Sequence, residues 1–266
     1  MSKILFLGTA GDSTVVSKQL RSSGGIILEL EGIQFHLDPG PGALVKAKEY
    51  GVSLQHTTAI LVSNNDLQHC NDLNAVIDAM THGGLEHRGI ILGSKSVLHG
   101  NEESHPFLTK KHQQQVEKVV PLEKNHKVGI EFVEINSVAA EHDDPHALGF
   151  KFFCPKFTLG YTGDTELTSQ LLEQLNGSDI LILNVRYPGS QRVGKHLDTA
   201  SAAALISHLK PRIAIMTHFG FEMLKADPLV EAREVQRLTG VQTIAATDGL
   251  AVSPGGYGKM SPVRGY

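Results

Sequence analysis

The hydrophobic positions follow two periods along the chain, and these periods predict strands and helices. Short apolar runs bounded by glycine, proline or polar residues are typical of buried strands. They predict strands at residues 3–7, 25–30, 33–37, 58–62, 89–92, 116–122, 128–138, 149–153, 157–161, 180–183, 213–216 and 242–245. Glu31-Gly32 predicts a tight hairpin turn between two of these runs, because glycine accepts the positive φ that such turns need.

Apolar residues three or four positions apart predict the helices. These helices cover residues 43–50, 71–80, 166–175, 199–209 and 221–238, while the polar, histidine-rich residues 94–115 predict a short helix with a loop. Because strands precede helices in both halves of the chain, we predict an α/β fold. In this fold, a four-layer αββα sandwich, helices flank two mixed β-sheets, and residues 116–122 and 128–138 belong to the second sheet.

No linker or low-complexity segment divides the chain, so we predict a single domain over residues 1–253. A tail of glycine-rich and proline-rich sequence follows at residues 254–266, with four glycines and two prolines. Such a composition is typical of disordered tails. Docking of this tail on its own domain or on a second subunit is a separate prediction, and the sequence leaves a homo-oligomer open.

Charge and composition exclude several classes of protein. The 24 basic and 28 acidic residues give a net charge of −4, which argues against a tight electrostatic hold on nucleic acid. No apolar run approaches the roughly 18 residues that span a bilayer, so no membrane segment is expected. Two cysteines exclude a disulfide framework and a four-cysteine zinc module. Their scarcity is typical of a reducing compartment, and we expect a cytoplasmic protein.

Histidines and carboxylates recur directly after predicted strands. They are Asp38, the stretch 63–69, His142, Asp164, His196 and His218. Polar groups at successive strand ends converge on one rim of a sheet, which is where α/β proteins place their sites. Imidazole and carboxylate together are typical ligands of a divalent metal. The sequence therefore predicts a metal site at this rim.

Three stretches around these residues carry specific motifs. Residues 36–40 read His-Leu-Asp-Pro-Gly, residues 159–165 read Leu-Gly-Tyr-Thr-Gly-Asp-Thr, and residues 216–220 read Met-Thr-His-Phe-Gly. In this order they resemble the metallo-β-lactamase superfamily, particularly its ribonuclease Z-like and phosphodiesterase-like branch, over nearly the whole chain. The resemblance implies the two-sheet sandwich, a site for one or two divalent ions between the sheets, and hydrolase chemistry.

The second motif of that superfamily, His-x-His-x-Asp-His, is altered in this chain. Its positions hold Asn64, Asp66, Gln68 and His69, so only the last histidine matches. Carried over residue by residue, the resemblance implies one metal position formed by His69, Asp164 and His218, with Gln68 as a weak neutral ligand. The other position would have His142, the shared Asp164 and Asp66, with the Asn64 amide. Zinc suits the first set, whereas the oxygen-rich second set favours manganese, iron or magnesium.

The leading hypothesis is a metal-dependent hydrolase that acts on a phosphodiester or related ester, either a small molecule or a short phosphodiester. Asp66 would bind metal or act as a general base, and His196 would protonate the leaving oxygen. His196 has a second interpretation as a residue at a helix entrance, where Asp198 or Thr199 is the N-cap. We expect Asp38 to orient a ligand rather than to catalyse.

Two other functions stay open at this point. One is a binding or regulatory protein that has lost its metal, because the second motif is altered. The other is a ribonuclease Z-like RNA-processing nuclease. The net charge and the lack of a long insertion rich in glycine and lysine argue against the nuclease, so a nucleic-acid substrate is not favoured.

Overall fold

The computed structural model describes residues 2–191 and 193–256, and its strands form two sheets. The strands are β1 (Lys3–Phe6), β2 (Ile26–Leu30), β3 (Ile33–Leu37), β4 (Thr57–Val62), β5 (Ile90–Ser94), β6 (Lys118–Leu122), β7 (Lys127–Ile130), β8 (Val133–Ala139), β9 (Leu148–Phe153), β10 (Thr158–Tyr161), β11 (Ile180–Tyr187), β12 (Leu197–Asp198), β13 (Ile213–Thr217), β14 (Thr243–Ala245) and β15 (Ala251–Val252).

The helices lie between and after these strands. They are α1 (Ser13–Ser17), α2 (Ala43–Glu49), α3 (Leu67–Cys70), α4 (Leu73–Met80), α5 (Lys95–His99), α6 (Lys110–Gln113), α7 (Ser169–Leu175), α8 (Thr199–Leu209), α9 (Phe221–Ala226) and α10 (Pro228–Thr239). Short 3-10 turns cover Leu54–His56 and Pro254–Gly256. No helix in the described ranges combines the length and apolar character needed to cross a bilayer.

Both sheets are mixed, as the sequence predicts. The first has the strand order β15-β1-β2-β3-β4-β5-β6, and the second has the order β14-β13-β11-β10-β9-β8-β7, with β12 paired beside β11. In each sheet hairpin-like antiparallel pairs lie on one side and parallel pairs on the other. The parallel strands end at a common edge of each sheet, and that edge carries the site.

Alternation along the strands builds the four layers. On β11, Ile180 and Ile182 enter the core between the two sheets, whereas Leu181 and Leu183 pack against the outer helices. A matching outer core joins the first sheet to α2 and α4. Side chains on a strand alternate between its faces, so each sheet buries both faces only if helices cover the outside. The predicted αββα sandwich is confirmed.

Two details of the predicted sheets are wrong. Residues 116–122 were expected in the second sheet, but β6 is the edge of the first, parallel to β5, because the segment with α5 and α6 forms a crossover that returns the chain beside β5. Residues 128–138 were expected as one strand, but they form the β7–β8 hairpin. Its turn needs a positive φ of 51° at Glu131, which no glycine signals in the sequence.

The predicted helix at residues 221–238 is two helices. The chain breaks at Asp227, which adopts a positive φ of 69°. Pro228 lacks an N–H and its ring disfavours helical geometry in the preceding residue, so α9 ends before it and α10 begins with it. Of the predicted tail, Pro254–Gly256 forms a short turn. Its remaining residues, and with them the docking prediction, lie outside the described residues.

Candidate metal centre

The ends of three strands of the second sheet carry polar side chains to one rim between the sheets. On β11 the alternation that buries Ile180 and Ile182 continues to Asn184 and Arg186, which therefore face the gap between the sheets. The same edge carries Asp164 beyond β10 and His218 beyond β13. The convergence predicted from strand ends is present in the structure.

Asp164 is the centre of this rim and is 1% exposed. Its Oδ2 lies 3.0 Å from His69 Nε2 and 3.1 Å from His218 Nε2. Two ligand atoms of a tetrahedral zinc ion lie about 3.3 Å apart when each bond is about 2.0–2.1 Å. The three atoms are therefore spaced as the ligands of one ion.

Asp38 fixes the orientation of His69. Its Oδ2 lies 2.9 Å from His69 Nδ1, and it also accepts hydrogen bonds from the Ser63 hydroxyl at 2.7 Å and from Tyr161 OH at 2.6 Å. An ionised carboxylate only accepts, so Nδ1 carries a proton, and Nε2 is the ring nitrogen that faces Asp164. This arrangement is typical of metal-binding histidines and agrees with the prediction that Asp38 orients His69.

The contact between His69 Nε2 and Asp164 Oδ2 is favourable only when a proton or a metal ion lies between the two atoms. Neutral His69 donates to Asp38 alone, so its Nε2 lone pair would face a carboxylate oxygen at 3.0 Å. Burial lowers the pKa of His69, but Asp164 and Asp38 outweigh it and raise the pKa well above its usual value. Burial likewise acts to raise the pKa of Asp164, yet His218 and His69 hold it well below its usual range. A proton or a metal ion satisfies both groups.

His218 presents a nitrogen that the protein leaves unpaired. Its Nε2 is buried and lies 3.1 Å from Asp164 Oδ2, with no other hydrogen-bonding group of residues 2–191 and 193–256 beside it. The backbone at His218 adopts a φ of 61°, a conformation that is costly for a residue other than glycine. Gly11 permits this turn, since a Cβ there would stand 1.9 Å from the His218 carbonyl oxygen. A buried, unpaired imidazole nitrogen beside a carboxylate fits a divalent cation.

Asn184 holds the second oxygen of Asp164. Its amide Nδ2 donates to Asp164 Oδ1 at 2.7 Å and lies 3.0 Å from Tyr161 OH. The other oxygen, Oδ2, is the one that faces His69 and His218. The hydrogen bond fixes the carboxylate plane relative to His69 and His218.

A second group of ligand-type side chains lies on the other side of Asp164. The nitrogens of His142 and His196 and an oxygen of Asp164 lie within 4.8 Å of one another. Arg186 donates from Nη1 to His196 Nε2 at 2.7 Å, and the Asp144 amide donates to His142 Nδ1 at 3.2 Å. Burial lowers the pKa of His196 to about 4, with Asp164 opposing the shift and Arg186 adding to it.

Comparisons with known proteins decide the family. A family model described as "Beta-lactamase superfamily domain" matches residues 34–219. The chain belongs to the beta-lactamase superfamily. It is also 33% identical over 252 residues to the uncharacterized protein MJ1374 of Methanocaldococcus jannaschii, a match that covers 94% of each chain.

Solved structures show that this chain has the metallo-β-lactamase fold. The metallo-β-lactamase fold protein YhfI from Bacillus subtilis aligns with a TM-score of 0.78 at 15% identity, over 94% of this chain and 98% of that chain. A diphosphatase from the PhnP family aligns with a TM-score of 0.70 at 17% identity, over 95% and 98% of the two chains. The resemblance inferred from the sequence motifs is confirmed at the level of family and fold.

Of the altered second motif, only His69 belongs to the two groups of ligand-type side chains, and Asp66 lies at their edge. Asp66 Oδ2 is 3.9 Å from His142 Nε2, and the Asp66 side chain is 37% exposed. Asn64 is buried, and its Oδ1 accepts the Asp66 amide at 2.9 Å in a local turn. Gln68 Nε2 lies 3.4 Å from Asp66 Oδ2. The structure thus brings together His69, His142, Asp164, His196 and His218, with the half-exposed Asp66 at the edge of this set.

Sequence reasoning missed three residues of the site. Asn184 and Arg186 were overlooked because the predicted strand ended at residue 183, and continued alternation past that point was the signal that could have found them. Asp144 is buried and accepts hydrogen bonds from the side chains of Ser94 and Ser96. Nothing near it in the sequence indicates these partners, which lie about 50 positions earlier. His196 lies just before α8. Asp198 is the N-cap of this helix, as predicted for a residue at a helix entrance.

Proposed function

We propose that this protein is a metal-dependent hydrolase of a phosphodiester or related ester, with one divalent ion held by His69, Asp164 and His218. The observation that carries the proposal is the set of three buried ligand atoms, which are His69 Nε2, His218 Nε2 and Asp164 Oδ2. His69 has its proton fixed on the far side by Asp38, and His218 Nε2 has no partner within the described residues. Membership of the superfamily supports the same reaction class.

The donor set suits zinc and also tolerates manganese or iron. Two imidazole nitrogens and one carboxylate form a common three-residue set that leaves a position open for substrate or water. When bound, such an ion supplies Lewis acidity and acidifies water that it coordinates. Asp164 supplies the negative charge that balances the ion, and Asn184 keeps that carboxylate from rotating.

Side chains beside the ion would bind and orient the substrate. His196 faces the site with Nδ1 3.9 Å from Asp164 Oδ2, and Arg186 lies behind it. A cleft of about 370 Å³ opens next to His196, with Gly194, Leu167 and Ala200 in its wall. A cleft of this size accommodates a small ester. The depressed pKa of His196 means that the ring is neutral at pH 7. We therefore propose that His196 donates a hydrogen bond to the substrate and does not act as a protonated acid.

A phosphorus-containing ester is the favoured substrate class. The cationic Arg186 beside the site suits an anionic ester, and the structural likeness to a PhnP-family diphosphatase supports this choice. The net charge of −4 still argues against a long RNA. Asp66 lies at the rim, 37% exposed, where a general base could reach the substrate, and this role stays a proposal.

A hydrolysis assay tests the proposal. Protein stripped with a chelator and reloaded with zinc, manganese or iron is assayed on bis(p-nitrophenyl) phosphate, a phosphonate monoester, a lactone and a thioester. We expect metal-dependent hydrolysis of at least the phosphodiester, lost in Asp164→Asn and kept in Asp143→Asn, which removes an exposed carboxylate of the neighbouring loop. Absence of bound metal and of activity with every metal would instead favour the binding-protein alternative.

A further inference from the structure

We infer that the side of Asp164 formed by His142 and His196 is a binding site for the anionic group of the substrate, backed by Arg186, and not a second metal position. This inference rests on the proposed function, because it places the metal ion on one side of Asp164 and the charged group of the ester on the other side. It concerns three residues whose partners the structure defines: His142, His196 and Arg186.

Arg186 decides which proton His196 carries. A guanidinium has only N–H donors and stays charged, so His196 Nε2 must accept the hydrogen bond at 2.7 Å. The neutral ring then carries its proton on Nδ1, the nitrogen that faces Asp164. Neither ring nitrogen offers a free lone pair. Metal binding through Nδ1 would move the proton to Nε2 and set it against an N–H of Arg186.

The same logic applies to His142. Its Nδ1 accepts the backbone amide of Asp144 at 3.2 Å, and a backbone N–H cannot reverse its role. The neutral ring therefore carries its proton on Nε2, and again no free lone pair remains. His69 is the opposite case, because Asp38 takes its N–H and leaves Nε2 free. The two sides of Asp164 thus differ in chemistry: lone pairs on one, N–H donors on the other.

Asp164 directs its oxygen Oδ2 toward His69 and His218. Its Oδ2 lies 3.0 Å and 3.1 Å from the nitrogens of His69 and His218 but 3.9 Å from His196 Nδ1, while Asn184 donates a hydrogen bond to Oδ1. A second ion would have to share that oxygen. It would find no lone pair on either His142 or His196.

The positive charge of Arg186 has no negatively charged partner in the part of the chain that the structure describes. Among the residues that the structure describes, no carboxylate forms an ion pair with Arg186, and its buried Nε has no acceptor. A partly buried cation of this kind is stabilised by an anion close to it. Its position is fixed, since its carbonyl oxygen accepts the Gly220 amide at 3.0 Å and a Cβ at Gly220 would stand 3.0 Å from its Cγ.

These groups fit one oxyanion that carries several acceptor oxygens. The rings of His142 and His196 meet edge to face, with centroids 5.1 Å apart, so their N–H donors can reach two oxygens of one tetrahedral group. Two carboxylates border this site. The ion bound by His69 and His218 offsets Asp164, and Asp66 is 37% exposed to solvent. A phosphate or phosphodiester is the class of ligand that this arrangement binds.

Zinc stoichiometry and phosphate binding test the inference without turnover. Zinc bound per chain is measured by equilibrium dialysis and mass spectrometry, and the affinity of the zinc-loaded protein for inorganic phosphate is measured by calorimetry. We expect one tight zinc ion in the wild type. Arg186→Gln is expected to weaken phosphate binding by about tenfold or more, the loss typical of a charged hydrogen-bonding partner. It should leave the zinc ion in place.

Two further variants control the test. Arg186→Lys keeps the positive charge and is expected to retain most of the phosphate affinity. Arg233→Gln removes the same charge from an exposed position on α10 and is expected to change nothing. Thermal melting of each variant checks its fold, so that a loss in Arg186→Gln that Arg186→Lys does not share is a loss of charge.

The outcomes separate this inference from the proposed function. Two tight zinc ions per wild-type chain, or phosphate binding that Arg186→Gln leaves unchanged, would overturn the inference even in an active hydrolase. One zinc ion together with phosphate binding that depends on Arg186 supports it, even if no ester in the assay is hydrolysed.

Discussion

At the scale of single residues, the site depends on which atom of each imidazole is already engaged. Asp38 takes the Nδ1 proton of His69, whereas Arg186 occupies the Nε2 lone pair of His196. The positions of His69, Asp164 and His218 could be predicted from strand ends and motifs. The proton positions could not, because they depend on Arg186 and on the backbone of Asp144, whose proximity only the fold creates.

Replacing the central carboxylate should remove the metal. In Asp164→Ala we expect zinc content below about a tenth of an equivalent, because two neutral imidazoles alone do not balance the charge of the ion. Zinc is measured by mass spectrometry after desalting, with His142→Ala as the control that should keep one equivalent. Wild-type zinc content in Asp164→Ala would contradict the assignment of this residue.

Replacing Asp38 by asparagine tests how the ion's ligand is oriented. Asp38 has a φ of 53°, which asparagine tolerates better than most residues, so the change alters charge with little added backbone strain. Removing such a carboxylate partner of a ligating histidine typically lowers metal affinity roughly 10–100-fold. Competition with a chromogenic chelator measures the change. Unaltered zinc affinity in Asp38→Asn would show that His69 needs no such partner.

At the scale of the elements, β3 contains a buried histidine that makes folding sensitive to acid. His36 is fully buried, its Nε2 lies 2.8 Å from the Gly24 carbonyl oxygen, and its Nδ1 has no partner in the described residues. Burial lowers its pKa from 6.5 to about 4, although the Gly24 carbonyl opposes the shift. The unfolded chain therefore binds this proton at a higher pH than the folded chain does.

Stability should consequently fall as the pH drops from 6.5 toward 4. The contribution of His36 to the free energy of unfolding is fully present above pH 6.5, and its loss amounts to roughly 3 kcal/mol at most, from about 1.4 kcal/mol per pKa unit. In His36→Gln the pH dependence in this window is expected to flatten by a comparable amount. Urea unfolding at several pH values measures it, with the exposed His99→Gln as control. Identical slopes for wild type and His36→Gln would refute this role.

Sequence periodicity predicted most elements, and the exceptions have local causes. The hairpin of β2 and β3 follows from Glu31-Gly32, where glycine signals the turn. The β7–β8 turn at Glu131 has no such signal, because a glutamate there adopts a positive φ that its type does not favour. Whether β6 joins the first or the second sheet depends on a crossover between distant segments. Hydrophobic periodicity carries no information about such a crossover.

At the scale of the whole molecule, two mixed sheets present their strand ends at one rim. The strand alternation that fills the core between the sheets with isoleucine and phenylalanine turns to Asn184 and Arg186 as β11 leaves the core. The first sheet contributes Asp38 and His69, and the second contributes Asp164 and His218. Neither sheet alone completes the candidate site, so the proposed metal binding requires the assembled sandwich.

Anomalous X-ray diffraction at the zinc edge, from crystals grown with excess zinc, tests the central claim most directly. The account predicts one strong peak, within about 2.0–2.1 Å of His69 Nε2, His218 Nε2 and one oxygen of Asp164. It predicts no peak of comparable height between His142 and His196. Absence of a peak among His69, Asp164 and His218, or an equal second peak beside Arg186, would contradict it.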